Sequence, residues 1–386
     1  MIMSNPPPSS APPPARIPLA GAGSVDAGRF FLCGCQGGAE AALQQRVAAL
    51  MPAARPGVWR RGIVTFRIPP AAGLAARPVP LEAVEEPLSQ FIFARTTIHS
   101  LGQVSGACDA TRVAAAIAAA GSGYQTVHVW QRDPKAELPV AAIRAGLLAA
   151  LGLDPAVAEL ARPHDRVLDC VLDSVDRWWI GWHQSLDPAS RWPGGIYPAA
   201  APRLPPGTVS RAWLKLDEAI ALFAIPFQPG QQALELGAAP GGACQRLLEA
   251  GLAVVGVDPA VVDERVAANP DFQQWRMRAR DVPLKRCSRT DWLLTDMNID
   301  PVSTMAALGR IATAPAVQLR GIVATLKLPE WSRAAEVPGW LDMFRSWGFE
   351  PRARQLSTGG REICVVALRS EPPSPSVTDK PMRNWP

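Results

Sequence analysis

The sequence predicts an α/β protein whose last large block, residues 210–370, is built on a mostly parallel, Rossmann-like sheet. Two observations carry this. Short apolar runs alternate with helical patterns from Ser210 to Leu368, the rhythm of parallel strands joined by crossover helices. One run, Ala233–Leu236, ends in the turn Gly237-Ala238-Ala239-Pro240-Gly241-Gly242, ahead of a helical pattern from Ala243 to Ala250 and a second apolar run, Ala253–Val257, closed by Asp258. Such a β-loop-α-β unit lets backbone N–H groups approach a nucleoside, while an acid at the second strand tip accepts its ribose hydroxyls.

The composition fits this class. A chain of 386 residues has room for two or three domains, each with its own core. Hydrophobic residues at 48% and charged residues at 19% describe a globular rather than a disordered chain. No apolar run is long enough to span a bilayer, so no membrane partner is expected. The seven cysteines fall mostly in apolar segments, which argues against a disulfide framework and for a cytoplasmic protein. Cys33-Gly34-Cys35 has the wrong spacing for a zinc knuckle and reads as a buried strand end. A net charge of +5 permits a polyanionic partner without demanding one.

Taken in order, residues 1–16 are a Pro- and Ser-rich stretch that reads as a disordered tail and lacks the regions of a signal peptide. Residues 17–88 hold a strand (Phe30–Cys33), a helix (Ala39–Leu50) and a strand (Ile63–Ile68). Residues 89–186 repeat the alternation. Phe91–Ile98 is extended, Ala110–Ala120 helical, Gln125–Trp130 a strand and Val140–Leu151 helical, and Val167–Leu172 pairs with Trp178–His183 as a hairpin. Residues 187–209, rich in Pro, Gly and Ala, form a linker, and 371–386 a second disordered tail.

The glycine turn is not that of a dinucleotide site. The G-x-G-x-x-G spacing would need glycine at 237, 239 and 242, and residue 239 is alanine. Pro240-Gly241-Gly242 makes a broad turn with no phosphate cradle, which suits S-adenosylmethionine; a turn that binds nothing is the alternative. Strand C-termini converge on the ligand crevice of such a sheet. That brings Asp296, after Trp292–Thr295, and Lys327, inside Ile322–Leu328, toward the same ligand. A lysine within an apolar strand is costly unless paired, functional or snorkelling from the strand end. Ser210 opens a helical pattern as a cap, and Arg361-Glu362 enters the last strand.

These residues resemble a known family. Lys215, Asp296, Lys327 and Glu362 follow the order and local contexts of the Lys-Asp-Lys-Glu tetrad of FtsJ-type ribose 2′-O-methyltransferases. Within that family the chain is similar to the RlmM group, on five segments: Ser210–Ala219, Leu236–Gly242, Asp296-Met297, Leu326–Pro329, and Ala353–Leu356 with Arg361-Glu362. Phe91-Ile92-Phe93-Ala94-Arg95 matches an I-F-A-R run in that group's N-terminal half. Ala243 departs from an aromatic that often follows the double glycine, and Ala239 from a frequent cysteine. The resemblance implies a ferredoxin-like domain over 17–88, a THUMP-like RNA-binding domain over 89–186 and an FtsJ-type methyltransferase domain over 210–370. It implies S-adenosylmethionine as cofactor, held at Ser210, Gly237, Ala239, Pro240, Gly241, Gly242, Asp258, Asp281 and Asp296. The implied substrate is the 2′-hydroxyl of a cytidine in 23S ribosomal RNA, met before the ribosome is fully assembled. The expected enzyme is a monomer without metal.

The chemistry can also be argued from the residues. A ribose hydroxyl must lose its proton to become a nucleophile, and a general base works best with a pKa near ambient pH. A lysine reaches that range when desolvated or beside another cation. Lys327 beside Lys215 is therefore expected to be the base, with Lys215, Asp296 and Glu362 as its electrostatic frame. Base C5 methylation needs a cysteine nucleophile, usually after proline, and no Pro-Cys pair occurs. Exocyclic amine methylation typically uses an Asp/Asn-Pro-Pro-aromatic loop, whereas Asp296-Met297-Asn298 stands here. The four histidines (His99, His128, His164, His183) are scattered and read as structural or surface residues. Two features stay open: Trp178, Trp179 and Trp182 as a base-stacking platform or as core, and Arg276, Arg278, Arg280, Lys285, Arg286 and Arg289 as a phosphate-binding rim or a solvated loop. Methylation of another structured RNA such as transfer RNA, or an RNA-binding adaptor with an inactive fold, are the alternative functions.

Overall fold

The computed structural model describes residues 30–68, 90–106, 109–199 and 204–369. The tails expected at 1–16 and 371–386 lie outside these residues. Two seven-stranded sheets organise the described chain.

The N-terminal sheet has the order β2-β3-β1-β4-β7-β6-β5, with β1 Phe30–Cys35, β2 Arg55–Arg60, β3 Ile63–Arg67, β4 Ala94–Ser105, β5 Thr126–Gln131, β6 Arg166–Ser174 and β7 Arg177–Gln184. β1 pairs with β4, so strands from 30–67 and from 94–184 share one continuous sheet. β2 gave no sequence signal, because this edge strand is exposed at every position and contains Pro56 and Gly57, both atypical of strands. The expected extended run over Phe91–Ile98 is corrected. Phe91–Phe93 form a turn, and β4 starts at Ala94. All three turn side chains are buried in a core cluster shared with the C-terminal sheet. Phe93 meets Trp331 edge-on at 6.3 Å, and the Ile92 carbonyl accepts the Gln355 N–H at 2.8 Å. Burial against a partner far along the chain, not alternation within a sheet, explains that apolar run.

The hairpin expected from Val167–Leu172 and Trp178–His183 forms as β6–β7. Trp178 lies in the core beneath the Arg112 guanidinium, and Trp182 stacks on His99 at 4.6 Å. These contacts favour packing over a stacking platform. The scattered histidines conceal a cluster: His128 on β5, Asp169 on β6 and His183 on β7 meet, all buried. His183 Nδ1 lies 2.5 Å from Asp169 Oδ2, and its Nε2 lies 2.7 Å from the Ser190 carbonyl. With an acceptor at each ring nitrogen, His183 can donate from both when it is protonated. Burial alone would lower its pKa, and the Asp169 carboxylate, with the Ser190 carbonyl and Asp187, more than reverses this. His128 is pushed down to about 3, chiefly by burial, and stays neutral.

The C-terminal sheet has the order β10-β9-β8-β11-β12-β14-β13, with β8 Gln232–Leu236, β9 Ala253–Val257, β10 Phe272–Trp275, β11 Trp292–Thr295, β12 Gly321–Lys327, β13 Phe349–Arg354 and β14 Glu362–Arg369. β8 to β12 pair in parallel, and β14 runs antiparallel between β12 and β13. This is the expected mostly parallel, Rossmann-like sheet. Strand order reverses at β8, where doubly wound sheets open their ligand crevice. Among the described residues no helix is long and apolar enough to cross a membrane.

Candidate active site

Sheet topology explains why four distant charges meet. Asp296 directly follows the end of β11, and Lys327 is the last residue of β12. Because β14 is antiparallel, its first residue, Glu362, lies opposite Lys327 at the same sheet edge. Helix Arg211–Phe223 supplies Lys215 from above. Lys215 Nζ lies 3.0 Å from Asp296 Oδ2 and 2.7 Å from Glu362 Oε1. Lys327 Nζ lies 2.7 Å from Asp296 Oδ1 and 2.5 Å from Glu362 Oε2. Ammonium and carboxylate thus alternate around a ring, each lysine held by both acids.

That geometry corrects the expected origin of a reactive lysine. Burial alone would lower the Lys327 pKa, but the Asp296 and Glu362 carboxylates raise it above the ordinary lysine value. Burial opposes ionisation of Glu362 as well, and Lys215 and Lys327 more than offset it, holding the carboxyl below its usual range. Opposite charges at hydrogen-bond distance outweigh the like charge across the ring. Lys327 in the free protein is therefore a firmly protonated ammonium.

The nucleoside side of the crevice begins at β8. Gly237 has φ +85°, and a Cβ there would lie 2.6 Å from Met297 Cγ. Gly242 opens helix Gly242–Glu249, and a Cβ on it would lie 2.2 Å from Ser210 Oγ. Only glycine lets the loop pass beneath the start of the Lys215 helix. Ser210 occupies the expected cap position, but its hydroxyl makes no capping hydrogen bond; the oxygen is buried without a partner among the described residues. Thr295 Oγ1 is likewise buried and unpartnered, and Thr295 lines the crevice with Lys215 and Asp296. Two orphaned hydroxyls, one against Gly242 and one lining the crevice, fit a polar ligand such as S-adenosylmethionine, since unpaired buried polar groups are costly. Asp258 follows β9; it accepts the Ala239 N–H at 3.2 Å and the Ala260 N–H at 2.8 Å. One acceptor site on each oxygen stays available for a hydroxyl. Asp281 is exposed on the turn after β10, with its carboxylate 3.8 Å from Arg280.

Two further acids shape the site. Glu218, one turn beyond Lys215, accepts the Ser357 N–H at 2.7 Å, the Thr358 N–H at 2.8 Å and the Thr358 hydroxyl at 2.6 Å. It thereby fixes the loop that delivers Glu362. Its i+3 spacing from Lys215 was readable, but its loop partner, 139 residues away, was not. Glu235 on β8 lines the crevice and accepts from the Cys244 thiol at 3.0 Å. Burial pushes its pKa up to about 8, with Asp296 and Asp258 adding to the shift. An acid inside an apolar strand was the sequence signal for it. Of the arginines and lysine between 276 and 289, Arg286 lies over Trp275 at 4.1 Å.

Comparison with known proteins agrees with this geometry. The FtsJ-like methyltransferase family matches residues 208–319. A ribosomal RNA large subunit methyltransferase M from Xanthomonas campestris pv. campestris (strain B100) is 31% identical over 371 residues, covering 88% of this chain and 99% of that protein. The chain belongs to the ribosomal RNA large subunit methyltransferase M family. A second relative of that name, from Halorhodospira halophila, is 28% identical over 294 residues, covering 72% of this chain and 81% of its own length. Among solved structures, TrmN from Thermus thermophilus aligns with 88% of this chain and 99% of its own at 17% identity, with a TM-score of 0.33.

Proposed function

We propose that this protein methylates the 2′-hydroxyl of a cytidine in 23S ribosomal RNA, with S-adenosylmethionine as methyl donor. The observation that carries the reading is the closed ring of two lysines and two carboxylates at the crevice edge, in a chain of this family. S-adenosylmethionine supplies an electrophilic methyl group that needs no further activation. The residues of the chain must then bind, orient and deprotonate. Asp258 receives ribose hydroxyls, the Gly237–Gly242 turn brings backbone close to the nucleoside, and the Ser210 and Thr295 hydroxyls complete the polar lining. Asp296 touches both lysines, so any positive charge entering beside it weakens its hold on Lys327. So loosened, Lys327 releases its own proton to solvent water, and the neutral amine then accepts the 2′-hydroxyl proton, while Lys215 and Glu362 keep it aimed.

The N-terminal blocks, ferredoxin-like over 17–88 and THUMP-like over 89–186, read the shape of the RNA, since a crevice holding one nucleotide cannot choose among thousands. The enzyme acts as a monomer in the cytoplasm on RNA still open to it before ribosome assembly is complete. The deciding measurement maps 2′-O-methylation in 23S ribosomal RNA and transfer RNA incubated with the full chain and cofactor. A single methylated cytidine in 23S RNA is expected; methylation confined to transfer RNA, or none at all, overturns the reading.

A further inference from the structure

A second cavity, of about 300 Å³, lies where the two sheets meet. The N-terminal half contributes Gln36, Gly37, Arg61, Arg95, Arg132, Asp133 and Lys135 to its lining, and the C-terminal half contributes Leu356, Ser357 and Gly359. Leu356 lines both this cavity and the tetrad crevice, and the same short loop runs on through Gly360 to Glu362. The cavity is therefore a neighbour of the reacting ribose.

Its charge is one-sided. Four cationic side chains and one carboxylate line it. Asp133 is partly engaged, accepting the Lys135 backbone N–H at 3.0 Å. Arg132 is held against the wall by Asp173 at 2.5 Å and the Arg61 carbonyl at 2.7 Å. Arg61 and Lys135 are exposed at the rim. Arg95 lies deeper, and its Nε is buried without a hydrogen-bond partner among the described residues. The nearby Glu218 carboxylate accepts three hydrogen bonds from Ser357 and Thr358 and leaves the Arg95 Nε unpaired among the described residues. A buried, unused Nε–H on a half-buried arginine calls for an anion, and the planar fork of arginine matches phosphate oxygens. The volume exceeds what one phosphate needs and reaches the lower range of small-ligand pockets.

We propose that this junction cavity is a subsite for a backbone phosphodiester of the substrate RNA, gripped by Arg95 with Arg61 and Lys135, close to the nucleotide whose ribose enters the tetrad. The inference rests on the function proposed above. It makes both halves of the chain contribute to one RNA grip. Arg132 keeps the rim loop in position through Asp173 and is a positioning residue.

The test uses the full chain, with Arg61→Ala combined with Lys135→Ala at the exposed rim, and Arg95→Met separately. Methyl transfer to a 23S RNA transcript gives KM and kcat, RNA binding is followed against salt, and cofactor affinity checks folding. The rim variant should raise KM for RNA by about tenfold with kcat nearly unchanged and cofactor affinity intact. The slope of log affinity on log salt should shrink by roughly 0.7 for each lost contact to a single strand. An unchanged KM and salt slope in the folded rim variant overturns the proposal. So does tight binding of inorganic phosphate or AMP that Arg95→Met abolishes while RNA binding stays put, since the cavity then serves a free anion. If the wild-type chain methylates no 23S RNA, the functional reading fails on its own. Salt-dependent binding of whichever RNA it holds then decides the subsite: a reduced slope in the rim variant keeps it, and an unchanged slope removes it.

Discussion

Each half of the molecule brings buried charges together, and the two do so to different ends. In the N-terminal sheet, His183 and Asp169 pair in a sealed setting, with Ser190 closing the remaining ring nitrogen. In the C-terminal sheet, the ring of Lys215, Asp296, Lys327 and Glu362 sits where strands stop, and its side chains keep between 9% and 18% exposure. The first cluster spans the adjacent strands β5, β6 and β7, with all three of its side chains buried. The second is reachable because parallel strand ends and one antiparallel strand start share an edge. Position within the sheet, more than the residue types, separates a structural ion pair from a reactive one.

The largest expected effect is catalytic. Lys327→Ala should lower the single-turnover methyl-transfer rate by roughly 10² to 10⁴, with cofactor affinity little changed. Near-normal turnover in that variant would take Lys327 out of the mechanism, and inactivity of Lys215→Ala alongside it would exchange the roles of the two lysines. Next comes the sealed pair. Asp169→Asn leaves a buried imidazolium without its carboxylate and should cost about 3–5 kcal/mol of stability in urea unfolding, without a direct effect on the tetrad. The raised His183 pKa also sets a sign. Its contribution is fully present below the unfolded-state histidine pKa and is lost as pH rises through the higher folded value. Stability unaffected by the substitution would mean that the N-terminal pair resembles an exposed ion pair after all.

A smaller effect is expected at the nucleoside end. Asp258→Ala should weaken S-adenosylmethionine binding at least about tenfold, given roughly 1.5–3 kcal/mol for hydrogen bonds to a charged group. Calorimetric titration of the folded variant with unchanged affinity would remove Asp258 from the cofactor site. The gentlest probe is pH. With Lys327 held protonated above the usual lysine range, the transfer rate should climb by about tenfold per pH unit through neutrality. A plateau near pH 7 would indicate that filling the crevice lowers the lysine pKa far more than loosening Asp296 alone provides.

Much of the C-terminal half was legible along the chain. The turn at Gly237–Gly242, the acid closing the run at Val257 and the tetrad order all lie within local contexts, where period and turn chemistry operate over a few residues. The N-terminal half was less so. β2 has no apolar face to alternate, and Phe91–Phe93 are buried against Trp331 and its neighbours rather than within a strand. Ser210 was read as a cap because its position is that of one, and only the close approach of Gly242 explains why its hydroxyl stays unused.

The chain alone determined a Rossmann-like sheet and its glycine turn, because each depends on neighbours within one or two turns or strands, while the four charged residues were singled out by resemblance to FtsJ-type methyltransferases. Only the tertiary structure decided what those charges do to one another. Lys327 lies 31 residues from Asp296 and 35 from Glu362, and the sign of its pKa shift depends on distances of a few ångströms that no spacing encodes. The same holds for the His183–Asp169 pair and for the cavity between the sheets. Electrostatic energy falls with separation in space rather than along the sequence, so it could be evaluated only after folding had set those separations.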